Sequence, residues 1–331
     1  MKEYWNQLAS GTKKAASHIA LANSGQKNRF LEHLYETILN HKADIIAENE
    51  KDLANAASQN FDEAFLDRLR LNDARITDMA NGVKEMILLP DPVGEMSDIK
   101  IRPSGIKVGK MRVPLGVIAI IYESRPNVTI DAAALCVKSG NGAILRGGSE
   151  AFHTNQYLGS LLKEALTAAE LPEEAVGVIN TTDRSMVDYM IGSPEYIDVV
   201  IPRGGKSLVE RINNNATVPV IKHLDGICHT YIDDAADMEK AVAVADNAKT
   251  QRYAPCNSLE TLLVHESIAP VFLPKIGAIY AEKGVEMRAC EKTLPLLKSA
   301  GINAISATEE DWSAEYLAPI IAIKIVRDMM E

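Results

Sequence analysis

The feature that most restricts the fold is a series of short, wholly apolar segments beginning near residue 115, each followed by helical periodicity. VIAII (117–121) precedes a helical pattern near 128–139 that stops at Gly140. AILR (143–146) precedes a helix in which Leu158, Leu161, Leu162 and Leu166 share one face. VGVI (176–179) precedes a short helix, DVVI (198–201) one carrying Leu208, Val209 and Ile212, and VPVI (218–221) follows. Strands alternating with helices form βαβ units and a parallel sheet. Strands without apolar–polar alternation suit a sheet covered on both faces. The fold class is therefore α/β.

Residues 1–88 read as helices, with Leu31, Leu34, Ile38, Ile45 and Ile46 at helical spacing, until Pro90 and Pro92 break the pattern. Segment 99–114 alternates apolar with basic or polar residues around Ser104-Gly105, which predicts a hairpin with one solvated face. It is either a plain surface hairpin or a ribbon that pairs with another subunit. Residues 226–331 form a second region, with strands at TYID and TLLV and helices near 266–284 and 292–300. PIIAIKIV (319–326) reads as a buried strand of the kind that normally leads back into more structure. At 331 residues, two domains are expected.

A net charge of −10 disfavours nucleic acid and anionic membranes as partners, so an anionic substrate would need a local basic cluster. The four cysteines, Cys136, Cys228, Cys256 and Cys290, are widely spaced, which argues against disulfides, against a metal site and for a reducing, cytoplasmic compartment. The N-terminus lacks an apolar signal core, and no stretch has the length of a membrane span.

Ligands of parallel sheets bind at the carboxyl ends of the strands. No G-x-G-x-x-G follows the first strand, but two other glycine loops occupy such positions, Arg146-Gly147-Gly148-Ser149 and Pro202-Arg203-Gly204-Gly205-Lys206. Glycines admit close backbone approach, helix N-termini attract phosphates, and arginine forks match phosphate oxygens. Each loop read singly is equally a glycine turn with a solvated arginine. A third loop, 123–127, carries Arg125, Pro126 and Asn127. Arg125 can hold an anion, and Asn127 can cap the following helix or donate to a developing oxyanion; the sequence leaves both open. In NAKTQRYAPCN (247–257), Lys249 and Arg252 stand near Cys256, and positive neighbours favour a thiolate. A single cysteine is also a common small core residue. Cys136, in ALCVK, reads as core, and Cys228 and Cys290 as structural. His223 and His229 lack metal-ligand spacing and read as structural histidines.

Four segments, RVPLGVIAIIYESRPNVTID (112–131), KSGNGAILRGG (138–148), IPRGG (201–205) and NAKTQRYAPCN (247–257), together resemble the gamma-glutamyl phosphate reductases, the glutamate-5-semialdehyde dehydrogenases of the aldehyde dehydrogenase superfamily. The resemblance runs from about residue 10 to 326. It implies an aldehyde dehydrogenase-like fold with an NADPH-binding domain over 1–99 and 115–225, an oligomerisation hairpin over 100–114, and a catalytic domain over 226–331. Family members continue beyond the position of Glu331, so a last catalytic segment and the closing ribbon strand are expected outside this chain. Cys256 matches the family's nucleophile and Asn127 the superfamily's oxyanion asparagine. Arg125, Lys249 and Arg252 are expected at the substrate. Pro126, Arg146, Gly147, Gly148, Ser149, Arg203, Gly204, Gly205 and Glu315 are expected at the cofactor. Arg146 stands where the superfamily has a lysine near the adenine ribose, and Ser149 where an acidic residue is frequent. Losing that carboxylate and gaining an arginine would suit the 2′-phosphate of NADP. His223 stands in place of the superfamily's water-activating glutamate.

The implied activity is reduction of L-glutamyl 5-phosphate to L-glutamate 5-semialdehyde through a cysteine thioester, the second step of proline biosynthesis. A homo-oligomer and functional coupling to glutamate 5-kinase are also implied. Two other readings stay open: another semialdehyde dehydrogenase of the superfamily, and a truncated subunit that binds cofactor without catalysis.

Overall fold

The computed structural model describes residues 1–59, 61, 63–223 and 225–331, with residue 64 described by its backbone alone. The chain divides into two compact units, Met1–Lys222 and His223–Glu331.

The first unit opens with helices α1 (Lys2–Leu21), α2 (Ser24–Asn40), α3 (Lys42–Ser58), α4 (Glu63–Leu69) and α5 (Asp73–Leu88). Asn23 closes a capping box with Gln26 at the start of α2, and Asn72 caps α5 through the Arg75 N–H. A hairpin of β1 (Met96–Ile101) and β2 (Lys107–Met111) follows, its strands antiparallel. Every residue of both strands is exposed, so neither face is covered, where the alternation had predicted one buried face.

The parallel sheet comprises β3 (Val117–Tyr122), β4 (Gly142–Arg146), β5 (Val176–Val178) and β6 (Val199–Arg203), in the order β5-β4-β3-β6. The helices between and after them are α6 (Asn127–Lys138), α7 (Phe152–Ala168), α8 (Ser185–Ile191) and α9 (Lys206–Asn215). All six residues of β3 are buried. Ile118, Ile120 and Tyr122 face a core with Phe30, Leu34 and Leu162, whereas Val117, Ala119 and Ile121 face another with Trp5, Met186 and Ile212. The period of two thus serves two cores, which is why the segment reads as apolar throughout. VPVI does not become a further strand: Val220 makes a single bridge to Val200, held by the Val200 N–H to the Pro219 carbonyl at 2.9 Å. Pro219 has no N–H to continue a ladder.

The second unit contains β7 (Cys228–Ile232), α10 (Met238–Thr250), β8 (Leu259–His265), α11 (Ala269–Glu282), β9 (Glu286–Ala289), α12 (Thr293–Ser299), β10 (Ile305–Ser306) and β11 (Ile320–Val326). Its sheet is parallel, in the order β10-β9-β11-β8-β7. The apolar run 319–326 supplies the central strand, and Phe272, Leu273, Ile276 and Tyr280 of α11 pack on Leu262, Ile321 and Ile323. Helix α10 escaped the sequence reading, which took its end as a basic stretch. Its N-cap is Asp237, whose carboxylate accepts the Lys240 N–H at 2.9 Å.

Among the described residues, no helix is long and apolar enough to cross a membrane, and no group of three His, Cys, Asp or Glu is placed to hold a metal.

Candidate active site

In the first unit, three loops leave the carboxyl ends of neighbouring strands β4, β3 and β6. Ile121 is in register with Arg146 and Tyr122 with Arg203, so the loops emerge at one end of the sheet. Two carboxylates lace them together. Glu123 accepts the Gly205 N–H at 3.0 Å, at the first turn of α9, and Glu150 accepts the Ser124 N–H at 2.7 Å and its hydroxyl at 3.2 Å. Gly204 and Gly148 leave the space these carboxylates fill. A Cβ on Gly204 would lie 2.6 Å from a Glu123 oxygen, and one on Gly148 would collide with the Glu150 carboxylate. The second loop is shorter than predicted, because Pro202 and Arg203 complete β6.

Arg146, half-buried at the end of β4, has its Nε buried with no hydrogen-bond partner among the described residues. Burial lowers its pKa, against the field of Glu150, while Arg184 adds to the lowering. An unpartnered buried N–H is costly, and an incoming anion would satisfy it. Ser149 is exposed, while the Glu150 carboxylate one residue on, and Glu123, lie near enough to Arg146 to favour its charged form. The positive balance comes instead from Arg146, Arg184 and Arg211, of which Arg211 is paired with Asp188 at 3.2 Å. Neither Glu123 nor Arg184 was singled out in the sequence. The Glu123–Gly205 bond and the nearness of Arg184 to Arg146 follow from loops converging across strands, which spacing does not reveal.

Asn127 is the first residue of α6, so it does not cap the helix; Pro126, buried, holds the cap position without a side-chain bond. The Asn127 amide donates to Asp131 at 3.0 Å, one turn along. Burial raises the Asp131 pKa, and the Asn127 hydrogen bond works against that rise. An amide carries two N–H donors, and Asp131 takes one. Arg125 is exposed beside it.

In the second unit, Cys256 lies exposed in a turn closed by the Ser258 N–H to the Pro255 carbonyl at 3.0 Å, immediately before β8. The exposed Arg252 lends its carbonyl to the Ser258 hydroxyl at 2.6 Å, tying the turn to the end of α10. The other thiols differ. Cys136 is buried, which pushes its pKa up to about 12. Cys290 is half-buried; burial raises its pKa, but bonds from Thr293 and neighbouring backbone outweigh this and lower it. Cys228 is half-buried, its thiol donating to the Cys256 carbonyl at 3.5 Å.

Gly226 joins this turn to Glu315. A Cβ there would collide with the Cys256 carbonyl and lie 3.1 Å from Glu315 Oε1. Gly226→Ala is therefore expected to displace the Cys256 turn, costing about 1–3 kcal/mol of stability and several-fold in turnover. Urea unfolding with parallel kinetics checks this, and unchanged values in both would refute the contact.

Lys249 departs from the expectation of a cation at the substrate. Its ammonium is fully buried and bonded to Glu260 at 2.8 Å, so it does not present a cation to solvent. Burial lowers its pKa, with Glu260 opposing. The other Glu260 oxygen accepts the Leu317 N–H at 3.2 Å, two residues beyond Glu315. Leu317 has φ +49°, a strained value for a branched side chain that this bond helps to hold. Lys249 thus braces the segment bearing Glu315. Glu260 itself, a charged residue inside a strand otherwise read as TLLV, was not predicted.

A sequence model of the aldehyde dehydrogenase family matches residues 3–294. Gamma-glutamyl phosphate reductase from Thermotoga maritima is 43% identical, with a TM-score of 0.87, over 98% of this chain and 77% of that one. The Saccharomyces cerevisiae gamma-glutamyl phosphate reductase is 28% identical, with a TM-score of 0.63, over 97% and 80%. An acetylating aldehyde dehydrogenase from Geobacillus thermoglucosidasius, at 19% identity and a TM-score of 0.60 over 99% and 76%, shares the fold. The chain belongs to the aldehyde dehydrogenase family, on its gamma-glutamyl phosphate reductase branch, and is an oxidoreductase of a family that works with nicotinamide cofactors.

Proposed function

We propose that the protein reduces L-glutamyl 5-phosphate to L-glutamate 5-semialdehyde and phosphate with NADPH, the second step of proline biosynthesis, through a thioester on Cys256. The observation that carries this reading is the exposed Cys256 thiol on a turn fixed by Gly226 and Ser258, beside Glu315. A nucleophile must be both reachable and held. The Cys256 thiolate adds to the acyl carbon, and the oxyanion draws on the second Asn127 N–H and on backbone N–H groups of the cysteine turn. Phosphate then departs, a step that calls for positive charge rather than a proton. With Lys249 committed to Glu260, the exposed Arg125 and Arg252 are the candidates for that charge.

Arg146, Gly147, Gly148, Ser149, Arg203, Gly204, Gly205 and Pro126 of the third loop would hold the cofactor, and Glu315 is proposed as a further cofactor contact. The orphaned Arg146 Nε and the open space at Gly205 fit an anionic group at the strand ends. NADPH, when bound, supplies the hydride that reduces the thioester. His223, exposed where a hydrolytic relative carries its glutamate, offers no carboxylate to activate water, which favours reduction over hydrolysis.

Arg146→Ala is expected to weaken NADPH binding about tenfold or more, roughly one lost charge-assisted hydrogen bond, and NADH binding much less. Fluorescence titration of both cofactors measures this. An equal loss for both would remove Arg146 from 2′-phosphate recognition.

The hairpin, with Ile99, Ile101, Val108 and Val113 exposed, is proposed as the oligomerisation ribbon of a homo-oligomer. Acyl phosphates are short-lived in water, which favours coupling to the glutamate 5-kinase reaction in the cytoplasm. The deciding assay runs in reverse, following NADP reduction by glutamate 5-semialdehyde. Strict dependence on inorganic phosphate is expected, whereas phosphate-independent oxidation to the acid would replace this reading with a hydrolytic dehydrogenase.

A further inference from the structure

We propose that Cys228 is a resolving thiol for Cys256, so that a hydroperoxide converts the pair into a reversible Cys228–Cys256 disulfide instead of destroying the nucleophile. The consequence for activity rests on the reading of Cys256 given above; formation of the bond does not.

Cys228 opens β7 in register with Leu259 of β8, and Cys256 lies three residues before Leu259 on the incoming turn. The Cys228 thiol donates to the Cys256 carbonyl at 3.5 Å. With standard C=O and Cα–C lengths, its sulfur then lies within about 6 Å of the Cys256 Cα. Disulfides join cysteines whose Cα atoms lie roughly 4.4–6.8 Å apart, and a thiol this close to the backbone of the other cysteine reaches that separation by local movement of the exposed turn. Gly226 packs on that carbonyl and holds the turn against the start of β7. The Cys256 side chain is exposed and can rotate toward its neighbour, whereas Cys228 is half-buried. One thiol meets the oxidant and the other waits beside it, which is the division of labour a resolving pair needs. Cys290 has its own partner in Thr293, and Cys136 is sealed in the core of the first unit.

The chemistry balances in two steps. The Cys256 thiolate attacks the distal oxygen of a hydroperoxide, breaking the O–O bond; Cys256 becomes a sulfenic acid and the peroxide is reduced to an alcohol or water. The Cys228 thiol, giving up its proton, then attacks the Cys256 sulfur, the S–O bond breaks, and hydroxide leaves as water with that proton. A dithiol then reduces the bridge by exchange, returning two protein thiols and becoming a disulfide itself.

The test treats the whole protein with hydrogen peroxide and maps it by mass without reduction. The expected product has lost two hydrogens and gives one linked peptide pair containing residues 228 and 256. Cys256 alkylation is lost and is restored by dithiothreitol. In Cys228→Ser, Cys256 should instead gain two or three oxygens, with dithiothreitol-resistant loss of alkylation several-fold faster than in the parent. Cys228→Ala, with thermal unfolding of both variants, separates this from misfolding. Equal overoxidation of parent and variants, or a Cys256–Cys256 link between chains, would overturn the proposal. If the linked pair forms but turnover is untouched, the nucleophile assignment fails and the disulfide stands.

Discussion

Cys256→Ser is expected to lower turnover by about 10⁴-fold or more while leaving NADPH affinity unchanged. A serine hydroxyl stays protonated near neutral pH and attacks acyl carbon far more slowly without a base, and removal of a nucleophile costs at least this order in enzymes that rely on one. Cysteine and serine are nearly isosteric, and Cys256 is exposed, so the fold should not change. Cys290→Ser is the informative companion, because hydrogen bonds lower the pKa of that thiol despite its burial. Turnover should survive there. If the Cys290 variant is dead and the Cys256 variant active, the nucleophile has been placed on the wrong strand end.

Lys249→Met should be the most destabilising single change in the second unit. Lys249 and Glu260 are paired at 2.8 Å with side chains 0% and 1% exposed. Removing the cation leaves a buried carboxylate with, among the described residues, the Leu317 N–H alone, and breaking such a pair costs about 3–5 kcal/mol. The urea midpoint should fall accordingly, and turnover at permissive temperature should drop because the segment bearing Glu315 loses its brace. The double change Lys249→Met with Glu260→Leu should recover most of the stability, since replacing both partners removes the uncompensated charge. A single-variant loss under about 1 kcal/mol would show that the pair is not an anchor. This result also separates two roles for the lysine, since a substrate-binding cation would alter KM and leave the unfolding curve in place.

The parallel sheet was readable because β3, β4 and β6 are apolar on both faces, and β11 was readable as a buried strand for the same reason. VPVI shows the limit. Its composition is that of a strand, but Pro219 supplies no N–H, and one bridge to β6 is all it makes. The exposed hairpin shows another, since alternation predicts one covered face only where something covers it.

The site divides along the same line. The glycine loops and the family were legible, because loops at strand ends leave their mark in contiguous residues, whereas the exposure of Cys256 was not, since a cysteine is equally at home in a core. The roles of Lys249, Asn127, Glu123 and Glu150 were not. Each depends on a partner that the neighbouring turn or strand brings in: Glu260 from β8, Asp131 one helical turn on, Gly205 from the start of α9, and Ser124 from the loop after β3. Residue order alone determined which elements form and where polar loops interrupt them, because backbone propensity and apolar periodicity are local. Tertiary structure decided which charges are neutralised and which stay open to a ligand, because burial and pairing depend on what the fold places beside each group.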